Sequence, residues 1–263
     1  MSRIESTFTR LRAAGRRAFI PFIVAGDPTL AATEQAAQAL ARAGADLLEL
    51  GVPFSDPIAD GPINQRAAHR ALLQGITVTD VLDLARRLGP ALEIPVVLLS
   101  YFNPILRYGR DRFCHDAAGA GVDGIVVPDL PPDEAGELIA AARPVGLDTI
   151  FLLAPTSTDE RIRLVADRSS GFIYCVSLTG VTGVREQLSA DLEALVSRIK
   201  RLTDTPICVG FGVSTPEQAR RVAQIADGVI VGSALVAALE QRDDGISRLA
   251  QLAGTLRAGI DAA

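Results

Sequence analysis

Tryptophan is absent from the 263-residue chain, and Lys200 is the only lysine among its 26 basic residues. His69 and His115 are the only histidines. A Schiff-base mechanism would have to use Lys200, and a histidine-rich metal site has no residues to build it. The three cysteines, Cys114, Cys175 and Cys208, are odd in number and far apart. That pattern excludes a disulfide framework and a zinc site, and it fits reduced thiols in a cytoplasmic protein. No apolar run reaches the ~18 residues of a membrane helix. The clearest run, Phe19 to Ala25, has the length of a strand. A net charge of −5 leaves no general footprint for nucleic acid. Chemistry in this chain falls to carboxylates, tyrosine and backbone dipoles.

What is present is apolar and rich in glycine: 48% hydrophobic residues and 23 glycines suit a buried α/β core. The length fits one large domain or two small ones. Five arginines and one acid among the first 17 residues read as an amphipathic first helix more readily than as a transit peptide.

Short apolar runs recur at Phe19–Val24, Asp46–Leu50, Pro95–Leu99, Gly124–Val127, Thr149–Leu153, Phe172–Val176, Pro206–Val209 and Gly228–Val231. Near-continuous apolar runs of this length mark strands buried on both faces. Helices fill the gaps at Leu30–Ala43, Val78–Leu88, Arg110–Ala118, Pro132–Ala142, Asp159–Ala166, Ser189–Arg201, Thr215–Ala226 and Ile246–Ala258. A weak repeat supports the count, because Ala43-Gly44-Ala45-Asp46, Ala120-Gly121-Val122-Asp123, Val145-Gly146-Leu147-Asp148 and Ala226-Asp227-Gly228 all precede a strand. Glycine there suits a left-handed residue ending a helix.

Eight β/α alternations predict a single (β/α)8 TIM barrel over residues 1–263, with an extra N-terminal helix. A doubly wound sheet shares the alternation. Long loops are expected after strands 2 and 6, from Gly51 to about Val78 and from Ser177 to about Ser189. Both would lie on the C-terminal face, where barrel active sites are found.

Three constellations on that face carry chemistry. Glu49 lies in an apolar strand and points away from Leu48 and Leu50. An inward carboxylate is desolvated and suits acid/base work, although a core ion pair would explain it too. Asp56 and Asp60 share the Pro- and Gly-rich loop that follows, and either could instead form an Asx turn. Next, Thr179–Gly183, Val209–Ser214 and Val231–Ser233, the last opening a helix, follow successive strands and together read as a backbone phosphate cradle. Last, Phe22, Tyr101, Phe102, Phe172 and Tyr174 either wall a pocket for a flat ring or cap the core. His69, His115 and the thiols read as surface and packing residues.

Pro21–Pro28, Leu48–Pro62, Thr179–Gly183 and Phe211–Ser214 together resemble the tryptophan synthase alpha chain family. The resemblance runs from Phe19 to Val236, and its Leu48–Pro62 segment is highly specific. It implies retro-aldol cleavage of indole-3-glycerol phosphate to indole and glyceraldehyde 3-phosphate. On that scheme Glu49 protonates indole C3 and deprotonates the glycerol hydroxyl. Asp60 binds the indole N–H, and Tyr174 positions Glu49.

Phosphate contacts carry over onto Gly183, Gly212, Gly232 and Ser233, and pocket positions onto Phe22 and Tyr101. A lid is implied at Thr179–Leu188, with Thr182 meeting Asp60 on closure. The resemblance also implies a pyridoxal-phosphate beta chain as partner in an alpha2-beta2 assembly that receives the indole, and no metal or cofactor on this chain. Docking would use Gly51–Pro62 and the surroundings of Asn103, Pro104 and Asp129. Other readings are a stand-alone indole-releasing lyase, a catalytically dead activator of a beta chain, and a different sugar-phosphate barrel enzyme.

Overall fold

The computed structural model describes residues 1–89, 91–176, 185–210, 212–240 and 244–263. Among them nine strands form one parallel sheet: β1 (Ala18–Val24), β2 (Leu48–Gly51), β3 (Val96–Leu99), β4 (Gly124–Val126), β5 (Asp148–Ile150), β6 (Leu152–Leu153), β7 (Ile173–Val176), β8 (Ile207–Gly210) and β9 (Gly228–Val231). The hydrogen-bonded order is β5-β4-β3-β2-β1-β9-β8-β7-β6. Only Phe151 separates β5 from β6, so the two ends of this ladder are one stretch of chain. The sheet therefore closes on itself. The expected (β/α)8 barrel is the observed one.

Strand alternation divides the side chains into two populations. Phe19, Ile23, Leu48, Leu50, Leu98, Ile125, Val209 and Val229 pack outward against the helices. Ile20, Leu47, Val97, Val126, Phe172, Cys208 and Ile230 fill the barrel interior. Two residues further along the same strands stand Phe22, Glu49, Leu99, Tyr174, Gly210 and Gly232. This upper inward layer contains the candidate chemistry.

The lower end is plugged by the N-terminal helix Arg3–Ala13, which begins in a capping box between Ser2 and Glu5. Ile4, Phe8 and Leu11 join the interior cluster, while Arg10 and Arg12 stay exposed. The amphipathic reading of this segment holds. Phe172 belongs to the same plug, with its ring 5.9 Å from that of Phe8. Of its two expected roles, it takes the core one.

The repeat before the strands has a physical basis. Gly44, Gly121 and Gly146 have φ of +93°, +82° and +75°, which only glycine adopts without strain. The following aspartates tie neighbouring strands at their starts. Asp46 accepts from Phe19 N at 3.0 Å, and Asp123 from Val96 N at 2.8 Å. Asp227 likewise accepts from Ile207 N at 3.0 Å.

Several boundaries differ from the sequence reading. The connection after β2 is not one long loop, because the helix Pro62–Leu73 occupies most of it. That helix buries only Ala67, Ala68 and Ala71, so it carries little apolar periodicity. The short helix at Phe102–Tyr108 was hidden by its length, whereas the helix expected to open at Ser233 is observed as Ser233–Leu239. The helix after β7 starts at Arg185, four residues before the expected Ser189. The helix expected from Pro132 starts at Gly136.

Candidate active site

Glu49 lies beside Phe22 in the β1–β2 register, with 1% of its surface exposed. Neither carboxylate oxygen has a hydrogen-bond partner among the described residues. The core ion pair that would explain a buried acid is therefore not what holds Glu49. Burial, and secondarily the charge of Asp60, push its pKa up to about 8. At neutral pH the side chain therefore favours its protonated form, and no described residue accepts that proton.

Asp60 closes the loop after β2, just before the helix Pro62–Leu73. The Tyr101 hydroxyl donates to Asp60 Oδ2 at 2.8 Å, and Asn64 Nδ2 donates to Oδ1 at 3.2 Å. Gln65 Nε2 reaches the Asp60 carbonyl at 2.8 Å. Burial raises the Asp60 pKa, while the bonds from Tyr101 and Asn64 pull it back down. Asp56 is exposed and takes its bond from Ser55. The structure thus separates two aspartates that the loop sequence left equivalent.

Tyr174 occupies the inward layer on β7, and burial raises its pKa far above the ordinary value. The negative charges of Glu49 and Asp60 act on it in the same direction. Its ring lies across Gly210, where an added Cβ would stand 2.7 Å from both Tyr174 Cε1 and its hydroxyl oxygen. Gly51 makes room in the same way for Phe22, 2.7 Å from Cζ. Sequence reasoning singled out neither glycine for this role. Both sit two residues beyond inward Cys208 and Glu49, so alternation carried the signal.

Phe22, Leu99, Tyr101, Asp60, Asn64 and Ala68 line a crevice of about 10 Å³, and Phe54 stacks on Tyr101 at 5.3 Å. Phe102 instead packs on the outer cluster. A far larger surface cavity of about 860 Å³ lies between the helices Leu30–Arg42 and Gly245–Asp261. No member of the carboxylate pair lines it.

Beyond β8, Gly212 has φ +49°. Beyond β9, Gly232 caps the helix Ser233–Leu239, and an added Cβ on it would lie 3.3 Å from Phe22. A helix start of this kind turns backbone N–H groups outward. Gly183, Thr182 and the first part of the expected lid at Thr179–Leu188 lie outside the described residues, as does Phe211. His69 and His115 are exposed, and the three cysteines are buried and unpaired.

A family model described as tryptophan synthase alpha chain matches residues 8–260. The chain belongs to that family. The tryptophan synthase alpha chain of Geobacter sp. (strain M21) is 53% identical over 258 residues, 98% of this chain and 96% of that one. Tryptophan synthase subunit alpha from Legionella pneumophila str. Paris superposes with a TM-score of 0.93 at 39% identity, over 100% of both chains. A tryptophan synthase chain from M. tuberculosis, in an aminoacrylate- and BRD0059-bound form, gives a TM-score of 0.90 at 43% identity over 98% of each.

As a tryptophan synthase alpha chain, the molecule is a carbon–carbon lyase of tryptophan biosynthesis. It cleaves indole-3-glycerol phosphate to indole and glyceraldehyde 3-phosphate. No helix among the described residues is long and apolar enough to cross a membrane.

Proposed function

We propose that Glu49, Asp60 and Tyr174 carry out the cleavage. Protonated Glu49 gives its proton to indole C3, which turns the ring into an electron acceptor with positive charge at nitrogen. Asp60 accepts the ring N–H and stabilises that charge. The Glu49 carboxylate then takes the proton of the glycerol hydroxyl next to the ring. As the carbonyl forms, the carbon–carbon bond breaks and its electrons restore the neutral indole. One proton leaves Glu49 and one returns, so the acid is regenerated. A positioned acid/base of this kind contributes roughly 10²–10⁴-fold.

The observation that carries this reading is the buried Glu49, without a hydrogen-bond partner among the described residues and with its pKa raised to about 8. Tyr174 limits how Glu49 can swing. Gly212, Gly232 and Ser233, with Gly183, hold the phosphate through backbone N–H groups. Phe22 and Tyr101 flank the ring, and Thr182 closes the lid over Asp60.

The indole passes to a tryptophan synthase beta chain that carries pyridoxal phosphate, in an alpha2-beta2 assembly in the cytoplasm. The cofactor belongs to that partner. Exposed Ile58 and Leu106, on segments leaving the C-terminal ends of β2 and β3, support docking there. Nearby, Asp129 Oδ1 accepts from Phe102 N at 2.8 Å and fixes the base of the segment with Asn103 and Pro104. Buried thiols without disulfides agree with a reducing compartment.

The test is indole release from indole-3-glycerol phosphate by the purified chain, alone and with a matching beta chain. Slow release alone and a large rise with the partner support the reading. Fast release alone favours a free-standing lyase, and none in either condition overturns it. Glu49→Gln should abolish turnover while substrate still binds.

A further inference from the structure

Asn64 is the half-satisfied side chain of the crevice. Its Nδ2 donates to Asp60 Oδ1 at 3.2 Å, while its Oδ1 is buried with no partner among the described residues. The amide cannot gain by turning over. An ionised Asp60 only accepts, so the amide nitrogen must face it and the amide oxygen must face away. The crevice that Asn64 lines is otherwise walled by Phe22, Leu99 and Tyr101.

Among the described side chains there, the remaining polar valences are mainly acceptors. The Tyr101 hydroxyl has already spent its proton on Asp60. Besides the second N–H of the Asn64 amide, what is left on these side chains is the free capacity of the Asp60 carboxylate and the Asn64 amide oxygen, both acceptors. Apolar and aromatic walls around acceptors select a flat ring that brings its own donor. An unpaired buried acceptor is costly, so a ring without that donor is penalised.

We propose that Asn64 is a specificity-determining residue, whose Oδ1 accepts the indole ring N–H and shares that proton with the Asp60 carboxylate. The inference rests on the site assignment made above. The contact strengthens as positive charge develops on the ring nitrogen, because a more acidic N–H is a better donor.

The experiment compares two non-cleavable ligands of the same shape, 3-(indol-3-yl)propyl phosphate and its benzothiophene counterpart, which lacks the N–H. Their dissociation constants are measured on the wild-type chain and on Asn64→Leu. The native chain should prefer the indole ligand, and Asn64→Leu should shrink that preference by roughly fivefold to twentyfold. Much of the change should come from tighter binding of benzothiophene, since leucine leaves no orphaned acceptor. An unchanged preference overturns the inference and reduces Asn64 to packing. If Asn64→Leu unfolds, Asn64→Ala gives the same comparison with less crowding. Asp60→Asn separates the two levels of the argument. If it leaves indole release intact, the site assignment fails; if it abolishes release while Asn64→Leu keeps the preference, only the role of Asn64 fails.

Discussion

The Tyr101 hydroxyl joins Asp60 to its own loop: it donates to Asp60 Oδ2 at 2.8 Å and accepts from Ala59 N at 2.9 Å. One buried phenol therefore fixes both the carboxylate and the backbone beside it. Burial and the charge of Asp60 raise the Tyr101 pKa, which keeps the proton on the phenol.

Tyr101→Phe removes both bonds. Asp60 loses a contact that lowers its pKa, so its carboxylate form should require a higher pH. The acidic limb of the kcat/KM profile should move upward, and kcat/KM should fall by roughly tenfold or more. A pH profile of indole release checks this. A limb that stays in place would leave Tyr101 as a ring wall only.

Glu49 links catalysis to stability. Its pKa is about 8 in the folded chain against 4.5 for the ordinary group, so the folded state binds this proton more tightly. The native form is therefore favoured at low pH, and that advantage is lost as pH rises from about 4.5 to about 8. Glu49→Gln escapes the loss. Its gain over the native chain should be small at pH 5 and reach the order of a few kcal/mol above pH 8. Urea unfolding at pH 5, 7 and 9 measures it, and an equal gain at all three contradicts the buried-acid account.

The same ionisation governs turnover. The step begins with a protonated Glu49, so kcat/KM should fall as pH rises through about 8. A flat profile to pH 9 would mean that another group supplies the proton.

Gly210→Ala tests the room given to Tyr174. The added methyl would stand 2.7 Å from the ring and its oxygen, so the ring must shift from its place in the inward layer. Turnover should drop tenfold or more, while far-UV circular dichroism stays native. Equal activity would show that the ring moves without consequence.

Arg70 binds Asp27 through two bonds, at 2.7 and 2.8 Å, and Glu240 through a third at 2.8 Å. It thereby ties the helix that follows Asp60 to the loop after β1 and to the end of the helix that starts at Ser233. Arg70→Met would strand the nearly inaccessible Asp27 carboxylate. Stability should fall by about 3 kcal/mol, and Arg70→Lys should restore only part of it, because lysine lacks the two-pronged geometry. Chemical denaturation of the three chains decides it.

The inward and outward sets of the strands were legible in the sequence because alternation is a local rule. It put Glu49 opposite Leu48 and Leu50, and the glycine-aspartate repeat marked where strands begin. The helix Pro62–Leu73 escaped because alanine buries little surface per residue, so its face has no strong signature.

The sequence by itself determined the alternation of elements, the inward carboxylate and the family motifs, since these depend on neighbours along the chain. Only the tertiary structure showed Asp60 bonded to Tyr101 and Asn64 while Asp56 stays exposed, and left the Asn64 Oδ1 without a partner among the described residues. It alone put Phe172 in the plug and Tyr174 over Gly210. Those outcomes depend on contacts between residues far apart in sequence, such as Tyr101 with Asp60 and Phe8 with Phe172, which closure of the barrel creates.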